Sequence, residues 1–207
     1  MIQYYENIPF CIMEQEEAGV NINFKEIIDY IEFMEPKLKE IPIDPKVAYQ
    51  QDDLSARFNK WNIFYAPEPC LIPVFKLIKT GWEQFKTEIN FKEKPLWIHA
   101  HGNIHRKGQQ LSYHEHRFSI LGFVGLSSEG SNTTFYTHKD NDFGSLEQKV
   151  AIPIPNKNGQ LVITLGPIPH HTDVWDKDYP RCSIAFNLLQ TIDIKTIGAG
   201  PVFPFEL

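Results

Sequence analysis

The spacing of hydrophobic positions divides the chain near residue 95. Upstream, Ile27, Ile28, Ile31 and Met34 recur at helical intervals within residues 25 to 34, and Pro36 is expected to close that helix or nearly so. A second amphipathic stretch runs from Pro69 to Asn90 through Leu71, Phe75, Leu77, Ile78, Trp82 and Phe85. Residues 1 to 15 alternate short apolar runs with turn formers and read as one or two strands at the edge of a sheet. Residues 37 to 68, with Pro42, Pro45 and Pro67, read as surface loops, in which Asp52 to Phe58 forms a helical turn or a lid over a pocket.

From Pro95 onward the period shortens to that of strands. Strands are predicted at 95–104, 109–117, 119–126, 132–137, 148–153, 160–165, 171–175 and 181–190. Eight short strands separated by turns predict two facing antiparallel sheets. The fold class is therefore mainly β with flanking helices: a double-stranded β-helix, or jelly roll, of cupin-like architecture. The two helices brace the outside of one sheet. A length of 207 residues suits one domain, with N-terminal strands and helices in 1–94, the jelly-roll core in 95–190 and a C-terminal tail in 191–207 that packs back onto the body or onto another subunit.

Composition narrows the setting more than the chemistry. Hydrophobic residues make up 42% and charged residues 22%, which fits a folded globular protein. A net charge of -6 gives no global attraction to nucleic acid or an anionic membrane, and the mildly basic stretch from Arg57 to Lys107 reads as solvated surface. Three cysteines, Cys11, Cys70 and Cys182, cannot all pair and show no metal-like spacing. Together with an opening that lacks a basic region followed by an apolar run, they point to a reducing, cytoplasmic setting.

The stretch Tyr113-His114-Glu115-His116 carries the chemistry. In an extended strand, residues two apart share a face, so His114 and His116 can aim both rings at one point, whereas on a helix they would diverge by about 200°. Further on, the apolar strand 160–165 turns at Gly166-Pro167 into Ile168-Pro169-His170-His171, which supplies a candidate third ligand. Either histidine is spaced to serve. Arg181, Cys182 and Ser183 then open another strand, placing a guanidinium and a hydroxyl on one face.

Taken together, Trp97, Gly108, His114, His116, Ser119, Gly122, Phe135, the 161–165 strand, Pro167, Pro169, His170, Arg181, Ser183, Phe186 and Asn187 resemble the 2-oxoglutarate and Fe(II)-dependent oxygenases. The branch with a His-x-His first ligand motif is the most similar. The resemblance covers residues 95 to 190 and implies Fe(II) and 2-oxoglutarate as cofactors. His114, His116 and His170 would be the metal ligands and catalytic centre, the Pro-rich turn favouring His170 over His171. Arg181 and Ser183 would hold the distal carboxylate of 2-oxoglutarate. The implied activity is hydroxylation coupled to decarboxylation of 2-oxoglutarate to succinate, on a small-molecule or amino-acid substrate. One departure stands out: most of the superfamily uses two histidines and a carboxylate, and here three neutral rings supply no negative charge, unless Asp173 provides one from behind a ligand.

The remaining histidines have quieter expectations. His99 and His101 share the alternate spacing of a ligand pair, but Gly102-Asn103 is expected to break their strand. His99 is then a pocket-lining residue, with Tyr136 and His171 as further substrate contacts, and His101 and His105 are placed at the surface. Two other readings keep the β fold: a cupin-like module that holds zinc or nickel and recognises a small ligand without 2-oxoglutarate turnover, and a metal-free interaction scaffold.

Overall fold

The computed structural model describes residues 1–43, 54–66, 68–92, 95–116, 120–138, 149–190 and 200–206. Ser119 of the motif, Asp52 and Asp53 of the expected lid, and most of the 191–207 tail lie outside the described residues. Two strands open the chain, β1 (Ile2–Tyr5) and β2 (Ile8–Glu14), joined at Glu6-Asn7, where both residues adopt the positive φ of a two-residue hairpin. Helices α1 (Phe24–Lys39) and α2 (Ile72–Glu88) follow, with short 3-10 turns between them, and then β3 (Leu96–His105), β4 (Ile120–Ser127), β5 (Asn132–His138), β6 (Lys149–Pro155), β7 (Gln160–Leu165), β8 (His170–Thr172), β9 (Arg181–Gln190) and β10 (Phe203–Glu206).

The strands form two antiparallel sheets of a jelly roll. The larger is ordered β1-β2-β7-β4-β9-β3-β10 and the smaller β6-β5-β8. Alternation along each strand gives the large sheet two differently used faces. Cys11, Met13, Ile98, Ile104, Val124, Leu161, Ile163, Ile184 and Leu188 point outward into one apolar layer with both helices. Phe10, Leu121, Phe123 and Val162 point inward and meet Phe135, Ile152 and Ile154 of the small sheet, Phe10 and Phe135 packing edge to face at 5.1 Å.

Each helix is built as its periodicity predicts, with one exception. Asn23 caps α1 by accepting from the Glu26 backbone, and Ile27, Ile31 and Leu38 form its buried stripe. The helix does not close at Pro36 but runs on to Lys39. A proline costs one backbone bond there, while burial of Leu38 and the Glu35 carboxylate, which meets Arg106 through two bonds of 2.7 Å and Lys39 at 2.9 Å, holds the last turn. In α2, Pro73 stands in the first turn and Val74, Leu77, Ile78, Trp82 and Phe85 are buried.

Other expectations need correcting. β3 does not break at Gly102-Asn103: it pairs with β9 in unbroken register from Leu96↔Gln190 to His105↔Arg181. Glycine is used there for room, since a Cβ at Gly102 would come within 2.7 Å of Ile31 on α1. Arg57 is not at the surface: it is buried, donating to the carbonyls of Ile41 and Lys39. Residues 109 to 116 are not a regular strand but a loose edge of the small sheet. The bridge His114↔His170 joins them to β8, each residue's N–H donating to the other's carbonyl at 3.0 and 2.8 Å, and Leu111 adds two bonds to Thr172, its carbonyl accepting from the Thr172 N–H at 3.1 Å and its N–H donating to Thr172 Oγ1 at 2.9 Å. No helix among the described residues is long and apolar enough to cross a membrane.

Candidate metal centre

The interior between the sheets has two characters. Its β2-β7-β4 half is apolar, while its β9-β3 half is lined by polar side chains because the odd-numbered positions of both strands face inward. On β3 these are His99, His101, Asn103 and His105, and on β9 Arg181, Ser183 and Asn187, all at most 5% exposed. His101 and His105 are thus buried rather than at the surface, a direct result of β3 continuing past Gly102.

Three imidazoles converge at the open side of this polar half. His170 lies opposite His114 in the bridge, their ring centroids 4.3 Å apart, and His116 closes the group at 5.0 Å from His114 and 5.1 Å from His170. Each ring offers one nitrogen to a common point, all within 4.8 Å of one another. Phe135 supports His170 from the neighbouring strand at 5.2 Å, and Asn187 reaches His116 from β9, tying the large sheet to the small one.

Hydrogen bonds fix which nitrogens face inward. His114 Nδ1 lies 2.7 Å from the Ser112 carbonyl, His170 Nδ1 2.9 Å from the Ile168 carbonyl, and His116 Nδ1 2.6 Å from Asn187 Oδ1. All three partners are carbonyl oxygens, which only accept, so in each neutral ring the proton sits on Nδ1 and the Nε2 lone pair is left toward the centre. Burial reinforces neutrality. It pulls His116 down to about 4, and His170, with His114 and His116 close by, well below the ordinary value; burial lowers His114 too. Nε2 of His114 and Nε2 of His116 stand 3.0 Å apart, and two lone pairs so close repel unless a cation lies between them. Two imidazoles bound at right angles to one ion at about 2.1 Å would show that separation. The residues therefore fit a divalent transition metal.

At the other end of β9, Arg181 is 3% exposed, with its Nε unpartnered and only a 3.5 Å approach of Nη1 to His105 Nδ1. No carboxylate of the described residues pairs with it. Burial pulls the guanidinium down to about 10, partly offset by Cys182 and Asp173, so it stays charged at neutral pH. Asp173 instead accepts from the backbone and side chain of Asn132, so it stands behind none of the three rings.

The other candidates fall elsewhere. His171, next to His170, takes the opposite face of β8 and stacks on Tyr136 at 5.6 Å, and Tyr136 meets the exposed Tyr113 at 5.4 Å. These rings form a ladder on the outer face of the small sheet, apart from the three that converge. His99 sits on the interior wall, opposite Asn187 in the β3–β9 register. Asn187 itself belongs to the centre through its bond to His116. The motif gives Asn187 no role, and its contact with His116 arises only from the fold that brings β9 beside the edge of the small sheet.

No family model matches this chain, and no curated protein matches its sequence. Solved structures do resemble it. The epimerase SnoN, in complex with Fe3+, alpha-ketoglutarate and nogalamycin RO, superposes with a TM-score of 0.52 over 87% of this chain and 78% of its own, at 11% identity. A prolyl-4-hydroxylase of Pseudomonas putida gives 0.45 over 60% and 69% at 14% identity. An oxidoreductase of the 2OG-Fe(II) oxygenase family from Burkholderia pseudomallei gives 0.43 over 59% and 57% at 11%. The chain thus spans little more than half of the Burkholderia structure. At these identities the likeness is one of fold. The fold and the site define a jelly-roll protein with a three-histidine centre able to hold a metal.

Proposed function

We propose that this protein is a non-haem Fe(II) oxygenase that couples oxidative decarboxylation of 2-oxoglutarate to hydroxylation of a small-molecule or amino-acid substrate, in the manner of the branch with a His-x-His ligand motif. The observation that carries the reading is Arg181, a buried cation with no carboxylate partner among the described residues, on the same interior face as Asn187, whose side chain meets His116. An isolated charge is expensive to bury, and a guanidinium fork suits a carboxylate. The fold shared with SnoN, whose structure contains Fe3+ and alpha-ketoglutarate, agrees with this use.

In this reading His114, His116 and His170 hold the iron through Nε2, and Arg181 with Ser183 holds the distal carboxylate of 2-oxoglutarate. When bound, iron and 2-oxoglutarate together supply the oxidising power for dioxygen chemistry that no side chain possesses. The protein's contribution is order. The carbonyls of Ser112 and Ile168 and the amide of Asn187 keep three rings in the metal-binding tautomer, and the β3-β9 wall sets the cosubstrate's direction. The apolar half of the interior, with Phe10, Leu121 and Phe123, keeps bulk water away from one side.

The test is succinate formation by the iron-loaded protein supplied with 2-oxoglutarate and dioxygen. His116→Ala is expected to abolish it with loss of iron, and Arg181→Leu to abolish it while iron is retained and 2-oxoglutarate affinity falls at least tenfold. Tight iron binding with no affinity for 2-oxoglutarate would overturn the oxygenase reading in favour of a metal-holding module. Undiminished iron in a His114→Ala, His116→Ala double variant would overturn the ligand assignment.

A further inference from the structure

The β3 wall carries two buried histidines for which the centre has no use. His99 is 1% exposed and His101 5%, yet both ring nitrogens of His99 and Nδ1 of His101 have no hydrogen-bond partner. The Phe58 backbone approaches His99 without reaching hydrogen-bonding geometry, and burial brings that ring down to about 4. Buried polar atoms in folded proteins are nearly always paired, so three orphans on adjacent inward positions mark a place where something else is meant to bind. The location is specific. His99 lies opposite Asn187, the residue that holds His116, so the pair flanks the metal end of the interior, six residues along β3 from the His105 that faces Arg181. Phe58 completes the arrangement: its half-buried ring stands 6.0 Å from both imidazoles, edge-on to His99 and tilted to His101, carried there by the 3-10 segment Ser55–Lys60.

We propose that His99, His101 and Phe58 form the subsite that receives the primary substrate, and that it selects an uncharged amide or hydroxyl group borne on a compact apolar body. The reasoning is one of matching donors and acceptors. A neutral imidazole offers one N–H and one lone pair. A carboxylate could use only the N–H groups and an ammonium only the lone pairs, either leaving buried atoms unmatched, whereas an amide or alcohol uses both. No acidic side chain among the described residues pairs with either ring to hold it protonated, and burial, with three other rings close by, keeps His101 neutral too. Phe58 offers the apolar part of such a molecule a ring to rest on. The word "substrate" rests on the oxygenase reading; the binding chemistry does not.

The experiment uses the full chain loaded with Zn(II), a diamagnetic substitute for iron, together with 2-oxoglutarate and with its histidines labelled with 15N. The ring-nitrogen resonances, assigned by single variants, are followed while 2-pyrrolidinone, a neutral lactam, is added, and separately acetate and methylammonium. The His99 and His101 signals are expected to move with the lactam, half-saturating on the order of millimolar for a ligand of that size, and to require at least tenfold more of either ion. His99→Leu with His101→Leu should weaken the lactam at least fivefold, retained zinc showing that the variant folds, and His99→Gln should restore part of the loss. If the double variant loses zinc, Phe58→Ala repeats the comparison from the other wall. Equal response to the ions, or none to any probe, would overturn the proposal and leave the rings solvated by water alone. Failure of 2-oxoglutarate to bind would sink the oxygenase reading while the lactam titration still decides the subsite.

Discussion

At the scale of single residues, Asn187 shows how the protein substitutes geometry for charge. Its amide oxygen fixes the His116 tautomer as a carboxylate would, but adds no negative charge to a centre that already has none. Asn187→Ala is therefore expected to weaken metal binding ten- to a hundredfold, and Asn187→Asp to strengthen it, both read by competition with a chelator. Equal affinity in all three proteins would mean that His116 is not held through Nδ1. Acid has a predictable effect as well. Burial lowers His116 to about 4, with the neighbouring His114 adding and the Asn187 bond opposing, while an unfolded histidine titrates near 6.5. Between those values the unfolded chain carries the extra proton, so stability is retained above about pH 6.5 and lost as pH falls toward 4. The urea midpoint of the metal-free protein should be lower at pH 5 than at pH 7.5; identical midpoints would contradict buried, neutral rings.

Among the elements, close approach accounts for a pattern visible in the sequence without an evident reason. Gly122 on β4 faces Phe186 on β9, and a Cβ at Gly122 would meet the Phe186 ring at 2.3 Å and the Val162 carbonyl at 2.5 Å. Because the carbonyl is backbone within a sheet, it cannot step aside, and Gly122→Ala should cost about 2 kcal/mol or more, measured by urea unfolding. A loss below about 0.5 kcal/mol would show that the sheet yields. Strands and helices were largely legible because their periods of 2 and 3.6 follow from which face is buried. What sequence could not weigh was tertiary compensation. Gly102-Asn103 and Pro36 are local breakers, overruled by strand pairing over the whole of β3 and by the Glu35-Arg106 pair under α1. For the same reason the sequence alone puts His101 and His105 at the surface, where the continued strand buries them. Strand alternation pairs His114 with His116, yet their stretch is an irregular edge beside β8, and the third ring comes from directly across the His114–His170 bridge. Register, not spacing, separates His170 from His171.

For the molecule as a whole, the interior is divided lengthwise, and the two halves have different reasons to hold together. The β2-β7-β4 half is closed by Phe10, Phe123, Phe135 and Val162 and needs nothing from outside. The β9-β3 half presents histidines, an arginine and two asparagines to one another, and residues 109 to 116 reach it through the bond from His116 to Asn187, while their backbone is held irregularly to β8 by the His114–His170 bridge and the Leu111–Thr172 bonds. Adding zinc to the metal-free protein should therefore slow amide exchange at His114 and His170 by at least tenfold, while amides of β4 and β7 change little. Uniform slowing across both sheets would show that the halves unfold as one. A fold divided in this way carries its own loading gauge. The apolar side assembles the barrel, an ion would latch the imidazole side, and the zinc-dependent protection of His114 and His170 would read how far the molecules are filled.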